Sequence, residues 1–295
     1  MANKSQEKDP IRRCPMKRPP ILKQLQNIMR EYPEDVQILH ELVQNAEDAK
    51  ATVMKIMYDQ RQINPTGILG QFLKSPALCI YNDGVFDEDD WDGIKSVCLS
   101  HKEEKTDKIG RFGQGFKSVF HLTDNPVVVS GDKMLIINPL DVDRECGMVI
   151  LSEIENISNT GIFKSFDFDS NAIRNNYYPA TLFWFPLRSQ ESELSENVFT
   201  DVKMTQILSL FEEDAALVLL FMKYLSRIEI HNPTQLSNPV INIQIMYAQN
   251  KRSDLQSFWS SMAKSTETED KTTETFSIVI DAETQTQNRQ VHWWK

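Results

Sequence analysis

Glu41, Asn45 and Asp48 follow one another at i, i+4 and i+7. On a helix turning about 100° per residue, that spacing puts two carboxylates and an amide on one face. Such a face suits hydrolysis of a metal-bound phosphate, with a carboxylate as base toward water and an amide oxygen as metal ligand. An ordinary solvated helix face has the same stripe, and the helix alone does not choose between them. A second group is Gly110, Gly113 and Gly115 in the run GRFGQGFKS, immediately before an apolar stretch. Glycines ahead of a helix let backbone N–H groups close on a phosphate. The spacing is not the dinucleotide pattern G-x-G-x-x-G, and Phe116 between Gly115 and Lys117 breaks a P-loop. By itself such a turn is as readily structural as functional. The third group, Asn82-Asp83-Gly84, reads as a turn after a strand. It lies between the polar helix and the glycine run, where a base-recognising group belongs if all three line one nucleotide pocket.

The elements that must position these residues follow from periodicity. Ile21, Leu22, Leu25, Ile28, Met29 and Tyr32 have helical spacing. Pro33 interrupts it, and Glu34-Asp35 suit the start of a second helix over 34–49, whose apolar face holds Leu39, Leu42, Val43 and Ala46. Strands are expected at 52–59, 77–81, 162–168, 181–187 and 227–231, and a hairpin at 127–129 and 134–137 turning at Gly131-Asp132. Asp87 and Asp90 form a capping box ahead of a helix holding Trp91, Ile94 and Val97. A short helix should carry Phe116, Val119 and Phe120, and a long one should cover 205–224. Helices and strands come in runs, so an α+β sandwich is expected rather than a doubly wound sheet. Beyond residue 231, strands at 238–248 and 276–280 flank a polar loop at 265–275. The expected organisation is a flexible arm at 1–18, one domain at 19–231, and a truncated start of a second at 232–295.

The chain has 295 residues, with 32 Lys+Arg against 42 Asp+Glu, a formal charge of −10. That balance disfavours a nucleic-acid partner, which calls for a basic surface. No apolar run reaches the roughly 20 residues of a membrane helix, so no membrane insertion is expected. The polar, basic N-terminus has no apolar core after it, which argues against a secretory signal. Cys14, Cys79, Cys98 and Cys146 contain no C-x-x-C pair. They read as reduced core residues of a cytoplasmic protein.

In order, ELVQNAEDA (41–49), NDG (82–84) and GRFGQGF (110–116) resemble the ATP-binding motifs of the GHKL superfamily, which includes gyrase, heat-shock-90 chaperones, histidine kinases and mismatch-repair ATPases. The stretches YPEDVQILHELVQNAEDA, ALCIYNDGVF and KIGRFGQGFKSVFHLTDNPVVVSGD are similar to the N-terminal part of the sacsin-repeat family, over roughly residues 20–230. The resemblance implies a Bergerat-type α/β sandwich, a mixed sheet covered by helices on one face, with Mg²⁺ and ATP held between the layers. It makes Glu41 the general base, Asn45 the Mg²⁺ ligand, and Asp48 an acid near ribose or phosphates. It assigns Asn82, Gly84 and Phe86 to the adenine pocket, with Thr181 supporting it. Gly110, Gly113, Gln114, Gly115 and Phe116 become the phosphate loop, and the loop 100–108 becomes a lid with Lys102 on a phosphate. The implied function is a chaperone module that hydrolyses ATP slowly and meets client or co-chaperone proteins. Glu41 favours hydrolysis over phosphotransfer, because histidine kinases carry an amide there.

The sequence departs from the family pattern at several positions. Asn82 stands where the chaperones anchor adenine with aspartate, Ala180 replaces a glycine before Thr181, and the lid is short. Lys50 replaces a glycine just past the helix and should strain its end. Asn82 and the lid favour a rival reading, a scaffold with little or no nucleotide binding. Glu41, Asn45 and the glycine run favour the enzyme. The negative charge does not oppose ATP, since local N–H groups, Mg²⁺ and Lys102 can meet phosphate on an acidic protein.

Overall fold

The computed structural model describes residues 21–32, 34–61, 68–98, 115–141, 146–154, 175–232, 235–246, 274–282 and 285–293. The expected arm at 1–18, the loop 100–108 with Lys102, Gly110, Gly113, Gln114 and the strand at 162–168 lie outside the described residues. The helices are α1 (Ile21–Glu31), α2 (Gln37–Asp48), α3 (Glu88–Cys98) and α4 (Asp201–Leu220), with a 3-10 helix at Gly115–His121. The strands are β1 (Val53–Asp59), β2 (Ala77–Asn82), β3 (Val127–Gly131), β4 (Lys133–Ile137), β5 (Cys146–Ile150), β6 (Tyr178–Pro186), β7 (Arg227–Asn232), β8 (Gln235–Met246), β9 (Glu274–Ala282) and β10 (Gln285–Trp293).

The strands form one sheet in the order β10-β9-β8-β7-β1-β2-β6-β3-β4-β5. The β1–β7 pair is parallel and its neighbours β1–β2, β2–β6 and β3–β6 are antiparallel, so the sheet is mixed. Alternation along each strand sends one set of side chains to each face. Met54, Ile56, Leu78, Ile80, Val128, Phe183, Phe185, Ile228 and Ile230 share a core with Leu25 of α1, Leu39 and Val43 of α2, Ile94 of α3 and Phe211 of α4. All four helices therefore lie on one face, and the fold is an α/β sandwich. The other face is not bare: Met57, Cys79, Val127, Val129, Leu182 and Trp184 form a second core with Leu73 and Leu151. On that face Glu229 ties β7 to β1 through Lys55 (3.4 Å), and accepts from His231 (2.8 Å).

Local rules explain most element ends. At the start of α3, Asp87 N donates to Asp90 Oδ2 (3.0 Å) and Asp90 N to Asp87 Oδ1 (2.8 Å), a reciprocal capping box. The β3–β4 hairpin turns at Gly131, whose φ of +59° favours glycine. Helix α2 starts at Gln37 rather than 34, after Asp35 Oδ1 accepts Gln37 N (2.8 Å). Helix α4 covers Asp201–Leu220 rather than 205–224, because Thr200 Oγ1 accepts Lys203 N and caps it. Past 231 the sheet runs on: β7 pairs with β8, and β8 with β9, across the position where a second domain was expected to begin. No helix among the described residues is long and apolar enough to cross a membrane.

Candidate functional site

The site is built on α2. Leu39, Leu42, Val43 and Ala46 are buried in the helix-side core, which turns Glu41, Asn45 and Asp48 the other way. Glu41 and Asn45 are half-buried and Asp48 is exposed. Glu41 Oε1 accepts from Gln37 Nε2 one turn earlier (3.1 Å), which orients the carboxylate. Asn45 has its side-chain nitrogen shielded from solvent with no hydrogen-bond partner among the described residues.

The C-terminal end of α2 is held firmly. Lys50 N donates to Glu47 O (2.8 Å) and Ala51 N to Ala46 O (3.0 Å), the bond pair of a Schellman motif. Lys50 takes the left-handed position, with φ of +57°; the helix end is strained, as expected for a lysine there. The Glu47 carboxylate accepts from the backbone N–H groups of Lys223 (2.7 Å), Tyr224 (2.9 Å) and Leu225 (2.9 Å), tying α2 to the turn after α4.

The glycine run meets α2 at its last residue. A Cβ placed on Gly115 would sit 1.8 Å from Glu41 Oε2 and 2.6 Å from its Cδ, so any side chain here would push this carboxylate aside. Phe116 turns inward, fully buried beside Phe183 (6.0 Å between ring centroids) and Phe185 (6.5 Å), and anchors the segment rather than lining its surface. The expected short helix is a 3-10 helix. Its end is fixed by the buried Arg188, which donates to Phe120 O (2.7 Å), His121 O (2.9 Å) and Asp124 (2.8 Å).

The turn after β2 lies at the same end of α2. Gly84 fits closely: a Cβ there would be 3.2 Å from Ala49 O. Asn82 Oδ1 accepts Gly84 N (3.0 Å), and Thr181 Oγ1 donates within reach of Gly84 O (2.8 Å) and Ser130 Oγ (2.9 Å). Ser130 in turn donates to Ala180 O and accepts Phe86 N, each at 2.9 Å. Phe86 is buried against Trp91 (4.9 Å). Asp83 points away and accepts from Thr52 N (2.7 Å) and Val53 N (3.1 Å), a structural task at the start of β1.

The described residues thus bring Glu41 to Gly115, and join Asn82, Gly84, Phe86 and Thr181 in one hydrogen-bonded unit near the end of α2. Sequence reasoning missed Ser130 and Glu47. Ser130 carried a signal, being the polar residue that ends the run VVVS, but its partner was invisible without the strand register. Glu47 carried none, since its donors are backbone N–H groups distant in sequence.

A family model described as the Sacsin domain matches residues 18–244. Sacsin from Homo sapiens is 38% identical over 229 residues, which are 72% of this chain and 5% of that protein. The chain therefore spans a small fraction of this relative's length. Among solved structures, the N-terminal domain of a DNA repair protein aligns with 87% of this chain and 69% of its own, at 12% identity and a TM-score of 0.38. That likeness is too slight to bear on function.

Proposed function

This chain belongs to the sacsin domain family, and from that membership we propose that it is a chaperone module that binds Mg·ATP in a heat-shock-90-type pocket and hydrolyses it slowly. The observation that carries the proposal is the seating of Gly115 against the Glu41 carboxylate. A glycine loop that ends on a carboxylate brings phosphate-binding N–H groups and a base for water into one place. Glu41, held by Gln37, takes a proton from the water that attacks the terminal phosphorus, as the bond from that phosphorus to the bridging oxygen breaks and ADP leaves.

Mg²⁺ fits the residues present. Among the described residues no cluster of three or more His, Cys, Asp or Glu could cage a metal. Mg²⁺ needs no such cage, since it keeps waters and substrate phosphate oxygens and takes one or two protein oxygens. Asn45 supplies a side-chain amide with an unsatisfied end, and rotating that amide presents its oxygen. When bound, the ion would neutralise phosphate charge. The cellular setting we assign is cytoplasmic, and the partners are client or co-chaperone proteins.

A second reading, a scaffold that works by protein interaction, is favoured by the short lid and by Asn82, which offers a neutral amide where a carboxylate would bind adenine more strongly. Calorimetric titration of this chain with ATP, with and without Mg²⁺, separates the two. The ATPase reading expects saturable heat that weakens without Mg²⁺ and in Asn45→Ala. Absence of heat up to millimolar nucleotide would leave the scaffold reading.

A further inference from the structure

A cleft that shares no residue with the α2 site opens between the C-terminal half of α1 and the turn at 192–197. Its volume is about 400 Å³, within the range of small-molecule sites. The buried Met29 and Leu194 line it together with the exposed charges of Arg30, Glu193 and Glu196. Hydrogen bonds hold its walls in place. Gln26 Nε2 donates to Glu193 O (2.7 Å) and ties α1 to the turn. Within the turn Ser192 N donates to Ser195 O (3.0 Å), and Ser192 Oγ accepts from Leu194 N (3.2 Å) while donating to Asp124 Oδ1 (2.9 Å).

His121 lines the same cleft and is 4% exposed. Its Nε2 lies 3.0 Å from Tyr32 O, and only a donor can face a carbonyl, so Nε2 carries the ring proton. Burial lowers the pKa of the ring from the ordinary histidine value, so the ring is neutral at pH 7. Nδ1 is then a bare lone pair. It is shielded from solvent and has no hydrogen-bond partner among the described residues. A buried acceptor left unpaired is costly, and a donor that fits the cleft recovers that cost.

We infer that this cleft is a second ligand site, which binds a neutral cyclic polyol of monosaccharide size with one hydroxyl donating to His121 Nδ1. Each hydroxyl of such a molecule is both donor and acceptor. Glu193 and Glu196 accept from neighbouring hydroxyls and Arg30 donates to others, while the C–H face of the ring lies on Met29 and Leu194. Two carboxylates against one guanidinium disfavour an anion, and the Arg188 charge near His121 disfavours a cation at the base. Nδ1 lies just beneath the cleft wall, where the seated hydroxyl replaces the contact that shields it.

The test is an NMR titration of the whole chain with myo-inositol, following the ring nitrogens of His121 and the backbone amides of 192–197. Both should shift saturably, at an affinity on the order of 1 mM, which about three shared hydrogen bonds supply. The Nδ1 resonance should move to lower frequency, as a lone pair that gains a donor does. Glu193→Gln combined with Glu196→Gln changes only exposed positions, so the fold is kept. It should weaken binding about tenfold or more, since charged acceptors are replaced by neutral ones. Shifts that rise without saturating, or a His121 ring that does not respond, would overturn the site. Saturable binding that the double substitution leaves unchanged would place the polyol elsewhere and overturn it too.

Discussion

A methyl group at residue 115 would land on the Glu41 carboxylate, 1.8 Å from Oε2. Gly115→Ala should therefore displace the flexible Glu41 side chain and destabilise the chain by roughly 0.5–1 kcal/mol, the low end for a point substitution. Because the collision is with one side chain, Glu41→Ala in the same molecule should recover most of that loss. A double-mutant cycle in denaturant reads the coupling directly; strictly additive losses would show that the two residues do not touch. His121 gives a second prediction at this scale. Burial lowers its pKa from the ordinary histidine value, helped by the nearby Arg188 charge and opposed by the carbonyls of Tyr32 and Met29 and by Asp35. The unfolded chain thus takes up the proton first as pH falls. The resulting stability is complete above the ordinary histidine pKa of about 6.5 and declines as pH drops below it. His121→Gln should flatten this dependence between pH 7.5 and 5.5, measured as denaturation midpoints. An unchanged slope would remove His121 as its source.

Among the elements, α2 carries Glu41 and Asn45, and its end is where the sequence works against itself. Lys50 adopts φ of +57° at the closing turn, which costs a side-chain-bearing residue roughly 1–2 kcal/mol. Glycine recovers that cost but is freer in the unfolded chain, so Lys50→Gly should stabilise by about 0.5–1 kcal/mol, seen as a higher denaturation midpoint with unchanged slope. A loss of stability would mean that the lysine side chain makes up for its backbone. This strain was legible in advance, as was the Asp87–Asp90 box, because caps depend on residues a few positions apart. Strands β5 and β10 were not anticipated. The first is a five-residue edge strand with Met148 exposed, and the second, QTQNRQVHW, is mostly polar. Neither carries the apolar alternation from which strands are read. The short helix through Phe116, Val119 and Phe120 was legible from its apolar spacing, but the Arg188 side chain that holds its end, far along the chain, was not.

Across the whole molecule, the α+β sandwich followed from runs of helices and strands, while the one-sided helix layer and the candidate site followed from the family resemblance of three ordered motifs. Strand order and register did not, because each pairing joins segments distant in sequence. The Asn82–Thr181–Ser130 row therefore emerged only with the fold, as did the second core on the far face. Nor was the continuation of the sheet past residue 231 visible, since a fall in apolar content there looks like the end of a domain. In the proposed function, Glu41 serves the chemical step of ATP hydrolysis while the rest of the site holds the nucleotide. Phosphate release and Mg·ATP affinity, measured side by side for the parent chain and Glu41→Ala, test it most directly. The variant should bind with little change and turn over about 10²-fold or more slowly, as expected for loss of a general base. Phosphate release equal to the parent's, at equal affinity, would contradict it.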